Sequence, residues 1–84
     1  MEEKLIGKIT HYFGKIEVAI IELSGVLKVG DRVHIKSHNN DFEQDVSSIQ
    51  IEHKNVKKAK KGDAIGMKVD QKVKEGDEVY LILP

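Results

Sequence analysis

Apolar and polar positions alternate with a period of two along most of this chain, the spacing of strands with one buried face. The first such run is Leu5 to Phe13, with Leu5, Gly7, Ile9, His11 and Phe13 on one face and Ile6, Lys8, Thr10 and Tyr12 on the other. Gly14-Lys15 separates it from a second run, Ile16 to Leu23, so a hairpin is expected there. The centre of the second strand, Val18-Ala19-Ile20-Ile21, is apolar on both faces. A strand buried on one side only would alternate, so its outer face is expected to be covered by another domain, a partner or a terminal segment. Ser24-Gly25 turns the chain, and Val26 to Val29 is a short connection. Arg32 to Ser37 is the third strand, with Val33 and Ile35 inward and Arg32, His34 and Lys36 outward. After the polar loop His38-Asn39-Asn40-Asp41, a long fourth strand is predicted over Phe42 to His53. Phe42, Gln44 and Val46 hold one parity and Ile49 and Ile51 the other, which places a β-bulge near Ser47-Ser48. Lys54 to Lys61 is a basic loop anchored by Val56 and Ala59, with at most one helical turn. Ala64 to Val69 is the fifth strand, Glu78 to Leu83 the sixth, and Pro84 ends the chain.

One local unit recurs three times: Leu27-Lys28-Val29-Gly30-Asp31, Ala59-Lys60-Lys61-Gly62-Asp63 and Val73-Lys74-Glu75-Gly76-Asp77, each followed by alternating apolar residues. Glycine takes positive φ at little steric cost, and aspartate bonds nearby backbone groups, so each copy is a tight turn feeding a strand. Six short strands with turn signals at this spacing predict an all-β domain over residues 1–84. A closed, antiparallel, Greek-key-like barrel is favoured because closure removes the edges.

Composition narrows the function. The 84 residues make one domain with a small core. Cysteine is absent, which excludes disulfides and a Cys-based zinc site and fits a reducing cytoplasm. No apolar run is long enough to span a membrane, and Met1-Glu2-Glu3-Lys4 is acidic where a signal peptide would be basic. The 14 Lys and Arg balance the 14 Asp and Glu, so any electrostatic recognition rests on local patterning.

Gly25-Val26-Leu27-Lys28-Val29-Gly30-Asp31-Arg32-Val33-His34-Ile35 resembles the signature of domain II of translational GTPases such as elongation factor Tu. Val46-Ser47-Ser48-Ile49-Gln50-Ile51, Lys61-Gly62-Asp63-Ala64-Ile65-Gly66 and Val73 to Val79 are similar to its later strand and turns, so the resemblance covers Gly7 to Leu83. It implies the β-barrel and an RNA or ribosome-associated partner in translation. This barrel also resembles accessory domains appended to enzymes, including a collagenase-like peptidase family. No P-loop is present, so no GTP is expected. Asp63 falls where elongation factor Tu carries an acidic residue near its aminoacyl pocket. Ala64 replaces a residue that is often polar, and the aromatic and amide partners have no match, so the pocket is not carried over.

The densest candidate site is Lys54, Lys57, Lys58, Lys60 and Lys61, flanked by His53 and Asn55, with Arg32 as a weaker member. Lysines in this pattern track phosphates, and the leading expectation is a non-catalytic, translation-associated module contacting RNA or a ribonucleoprotein surface. The plain alternative for the cluster is a solvated loop that keeps the barrel soluble and blunts an edge. The alternative function is a protein–protein interaction module akin to the accessory barrels of larger enzymes. It rests on the two-sided apolar strand and the neutral charge. His11, His34, His38 and His53 lie in different segments, so their spacing carries no ligand signature and no metal site is expected. His11 is expected as a hydrogen-bonded core histidine beside Ile9 and Phe13. Phe13 and Phe42 are expected in the core, and Tyr12 on the surface. Asp41, Glu43 and Asp45 form a solvent face, Ser47-Ser48 has no base near it, and no cofactor is expected.

Overall fold

The computed structural model describes residues 2–38 and 40–83; Met1, Asn39 of the expected polar loop and Pro84 at the expected chain end lie outside them. Every regular element within that range is a strand. They are β1 (Glu2–Phe13), β2 (Val18–Leu23), β3 (Leu27–Lys28), β4 (Arg32–Lys36), β5 (Asp41–Asp45), β6 (Ile49–Ile51), β7 (Lys54–Val56), β8 (Lys58–Ala59), β9 (Ala64–Lys68) and β10 (Glu78–Leu83). Eight of them form one sheet in the order β5-β4-β10-β1-β2-β9-β6-β7, and β3 pairs with β8 in a separate ribbon. All ladders are antiparallel.

The alternation seen in the sequence builds one core. Strand β2 turns Ala19, Ile21 and Leu23 inward, β4 turns Val33 and Ile35, β9 turns Ile65 and Met67, and β10 turns Val79. Ile49 of β6 joins them, as do Val46, Val69 and Val73, so connecting segments also pin themselves to the interior. Each of the Val, Ile, Leu and Met side chains contributes about 1.5–3 kcal/mol by leaving water.

The three Gly-Asp turns share one geometry. Gly30, Gly62 and Gly76 all have φ between 93° and 97°, where a Cβ would be strained. Within each turn the aspartate carboxylate accepts the N–H three residues back, from Lys28, Lys60 and Lys74 respectively. Each turn then docks on a buried apolar residue of another segment through a reciprocal pair of backbone bonds. The glycine N–H donates to the carbonyl of Val46, Leu23 or Ile9, and the N–H of that same residue donates to the carbonyl of Asp31, Asp63 or Asp77. The repeated unit is therefore a clip that fixes a strand start to a distant core position.

The expected closed six-stranded barrel is corrected. The ladder has two ends, β5 and β7, and no strand pairing among the described residues joins them. The chain leaves β5 at Val46, whose N–H and carbonyl are already taken by Asp31 and Gly30, and so cannot extend a ladder there. A side chain of β5 reaches instead to the end of β9. Gln44, only 2% exposed, donates from Nε2 to the Lys68 carbonyl (2.9 Å), and its Oε1 accepts the Asp70 N–H (2.8 Å). The long fourth strand is likewise two strands, β5 and β6, on different parts of the sheet. The parity change at Ser47-Ser48 marks a strand exchange rather than a bulge. Real bulges occur in β1, between Leu5 and Gly7 and between Ile9 and His11. They move Ile6 inward and turn His11 and Phe13 out, which overturns the core positions expected for both. Lys54 to Lys61 contains β7 and β8 rather than a helical turn, with Val56 and Ala59 packed as anchors.

Candidate functional site

The candidate lysines are exposed, and short strands hold them. Lys54 begins β7, Lys58 lies in β8, and Lys57, Lys60 and Lys61 flank them. Lys58 stands directly opposite Lys28, and like charges in that register repel. Among the described residues none of these lysines has a carboxylate within ion-pair distance. Arg32 is held elsewhere. Its Nε lies 3.2 Å from Glu43 Oε1 and its Nη1 2.9 Å from Asp45 Oδ1. Hydrogen bonds to Asp45 and Glu43 raise the Arg32 pKa, so its charge is already answered within the sheet.

A second polar cluster escaped the sequence. His34 on β4 places Nδ1 2.7 Å from Glu3 Oε2 on β1 and Nε2 against Asp41 Oδ1 on β5, while Lys36 Nζ lies 3.3 Å from Glu3 Oε1. Carboxylates accept hydrogen bonds, so the arrangement favours the ring with both nitrogens protonated. Burial lowers the His34 pKa, but the hydrogen bonds that the ring donates to Asp41 and Glu3 outweigh it and leave it raised. Glu3 is lowered, mainly by its bond to His34. A raised histidine stabilises the fold fully below its unfolded pKa, about 6.5, and that contribution is lost as pH rises through the folded value. The melting temperature is therefore expected to fall between mildly acidic and alkaline pH, and His34→Gln to flatten that fall. A thermal-melt series at low salt reads it. An unchanged slope in the variant would assign the pH dependence to other groups.

The sheet also carries a groove. Phe13, Ile16, Val18 and Ile20 of the β1–β2 hairpin form one wall, and Gln50, Glu52 and His53 of the β6–β7 hairpin form the other. The second hairpin turns on Glu52 and His53 with φ of 51° and 66°, the positive pair of a two-residue turn, although neither is glycine. Gly66 of β9 is the floor, where a Cβ would lie 3.4 Å from Val18 Cγ1 and 3.8 Å from Ile20 Cδ1. The cavity is about 210 Å³. Ile16 and Phe13 remain 62% and 44% exposed beside it, large values for apolar residues in so small a domain. Phe13 packs against His11 on the outer surface, with ring centroids 4.4 Å apart and the rings tilted by 58°. The apolar outer face of β2 pointed to this groove in the sequence, but its floor and second wall did not show there.

Among the described residues no group of three or more His, Asp or Glu side chains is placed to hold a metal. No helix in that range is long and apolar enough to cross a membrane.

The sequence matches no family model. It is 44% identical over 78 residues to an uncharacterized protease of Methanocaldococcus jannaschii, a match covering 92% of this chain and 19% of that protein. It is 35% identical over 81 residues to a collagenase of Porphyromonas gingivalis, covering 94% of this chain and 22% of the collagenase. The chain thus spans about a fifth of the length of the curated relatives it matches. These relatives overturn the expected kinship with domain II of translational GTPases, and with it the translation-associated, RNA-binding role. They favour the alternative of an accessory domain of a larger enzyme. Among solved structures, the crystal structure of the C-terminal domain of a putative U32 peptidase of Geobacillus thermoleovorans superimposes with a TM-score of 0.89 at 16% identity, covering 95% of this chain and 93% of that one. Its selenomethionine variant gives 0.86 at the same identity, covering 90% and 96%. The fold of this chain is that of the U32 peptidase C-terminal domain, and its sequence is similar to one-fifth-length segments of a protease and a collagenase.

Proposed function

We propose that this chain is an accessory β-domain of the U32 peptidase type, which binds polypeptide and leaves bond cleavage to another part of the enzyme. The match to a segment making up 19% of a protease carries this reading. The polar chemistry supports it. The best-formed cluster, His34 with Glu3 and Asp41, is a closed set of ion pairs with no hydroxyl or thiol nucleophile among its contacts. On this reading the exposed lysines serve solubility and blunt the β7 edge.

Gelatin hydrolysis tests the proposal. The chain alone is expected to release no peptide. The P. gingivalis collagenase carrying this chain in place of its matching segment is expected to cleave gelatin faster than the collagenase with that segment deleted. Cleavage by the chain alone, or a chimera no better than the deletion, would overturn it.

A further inference from the structure

We infer that the groove over Gly66 is where this domain docks on the peptidase portion of such an enzyme, by accepting an apolar side chain from it. This rests on the accessory-domain reading and adds the place and chemistry of the contact. The groove is concave and mostly apolar, with walls supplied by two hairpins and a floor of bare backbone. Glycine inside a strand marks a site where another group approaches closely. Any side chain at position 66 would take up the space between Val18, Ile20 and Gln50.

Volume and charge select the occupant. About 210 Å³ lies below the roughly 300–1,000 Å³ of small-molecule sites, and suits one anchoring side chain of a protein interface. The lining holds one carboxylate, Glu52, and no lysine or arginine, so it does not favour a polyanion. A single anchor pocket is little for two free chains to associate through. It suffices when the partner is covalently attached and its effective concentration is high. In the relatives, about four-fifths of the polypeptide lies outside the matching segment and supplies such a partner.

Side-chain footprinting with hydroxyl radicals tests the inference on two proteins. They are this chain alone, and the M. jannaschii protease carrying this chain in place of its matching segment. Among the described residues five large apolar side chains are exposed, namely Leu5, Phe13, Ile16, Val26 and Val29, and of these Phe13 and Ile16 line the groove. Labelling of Ile16 and Phe13 is expected to fall about tenfold in the chimera, as for side chains at an interface core, while Leu5, Val26 and Val29 stay within about twofold. Gly66→Val fills the floor with a residue suited to a strand, and in the chimera it is expected to restore the labelling of Ile16 and Phe13. A melt of the isolated Gly66→Val chain verifies its fold, and Ile16→Ser in the chimera, read at Phe13, gives a second route to the same result.

Shielding confined to Leu5, Val26 or Val29 would overturn the groove and leave the accessory reading standing. No shielding anywhere in the chimera would overturn both. Shielding of Ile16 in the isolated chain that grows with concentration would make a second copy the occupant, and the inference would fail on that point.

Discussion

Gln44→Leu is expected to destabilise the domain by about 1–3 kcal/mol, despite a near-equal volume and a more apolar side chain. The amide ties β5 by two hydrogen bonds to the last residue of β9 and to the segment after it. Both its partners are backbone groups fixed in direction, a carbonyl at Lys68 and an N–H at Asp70. Leucine answers neither. For a domain of this size each kcal/mol lowers the melting temperature by about 4–8 °C. Gln44→Glu is a sharper form of the test. It keeps the acceptor for Asp70 but faces the Lys68 carbonyl with a second acceptor, so it is expected to be worse than leucine at neutral pH. A leucine variant as stable as the parent would mean that packing alone holds β5 to the end of β9.

Ile21→Ala is expected to cost more, about 2–5 kcal/mol. Ile21 is fully buried and lies in a row with Ile9 on β1 and Ile65 on β9, its cross-strand partners on either side. Gly7 packs so closely beneath it that a Cβ there would come within 2.7 Å of Ile21 Cγ2. With a glycine below and two locked strands beside it, the site has little means of collapsing into the space left by truncation. Total stability for 84 residues is about 4–13 kcal/mol, so the loss is a large share of it. Chemical denaturation checks the value, and Ile21→Val, at about 0.5–1.5 kcal/mol, scales it. A loss under about 1 kcal/mol for alanine would show that the neighbours move in after all.

Where one face is buried and the partner strand runs straight, the sequence carries the answer. Val33 and Ile35 in β4, Ile65 and Met67 in β9, and Val79 in β10 all point as their alternation predicts. The turn unit was legible as well, because glycine and aspartate have local reasons to be there. What each turn docks on was not, since Val46, Leu23 and Ile9 are chosen by tertiary geometry. The bulges in β1 were hidden for the same reason: a residue is extra only relative to its partner strand. That concealment misplaced His11 and Phe13, and with Phe13 a wall of the groove. The Glu52-His53 turn lacks glycine or asparagine, so nothing local announced the β6–β7 hairpin. The His34 cluster joins residues 31 and 7 positions apart, a convergence that only strand order creates. The lysine run was the loudest local signal, and it turned the reading of function toward RNA.

The strand order sets a timetable for folding. β10, the last strand, is inserted between β1 and β4, with Leu83 opposite Glu2. The sheet thus lacks an interior strand until the final residues are available, and β1 has only β2 to pair with in the meantime. During synthesis everything before Glu78 emerges with an open slot flanked by unsatisfied strand edges, a state prone to pairing with other chains. Loss of a few residues from β10 removes an interior strand of the sheet, not a frayed end.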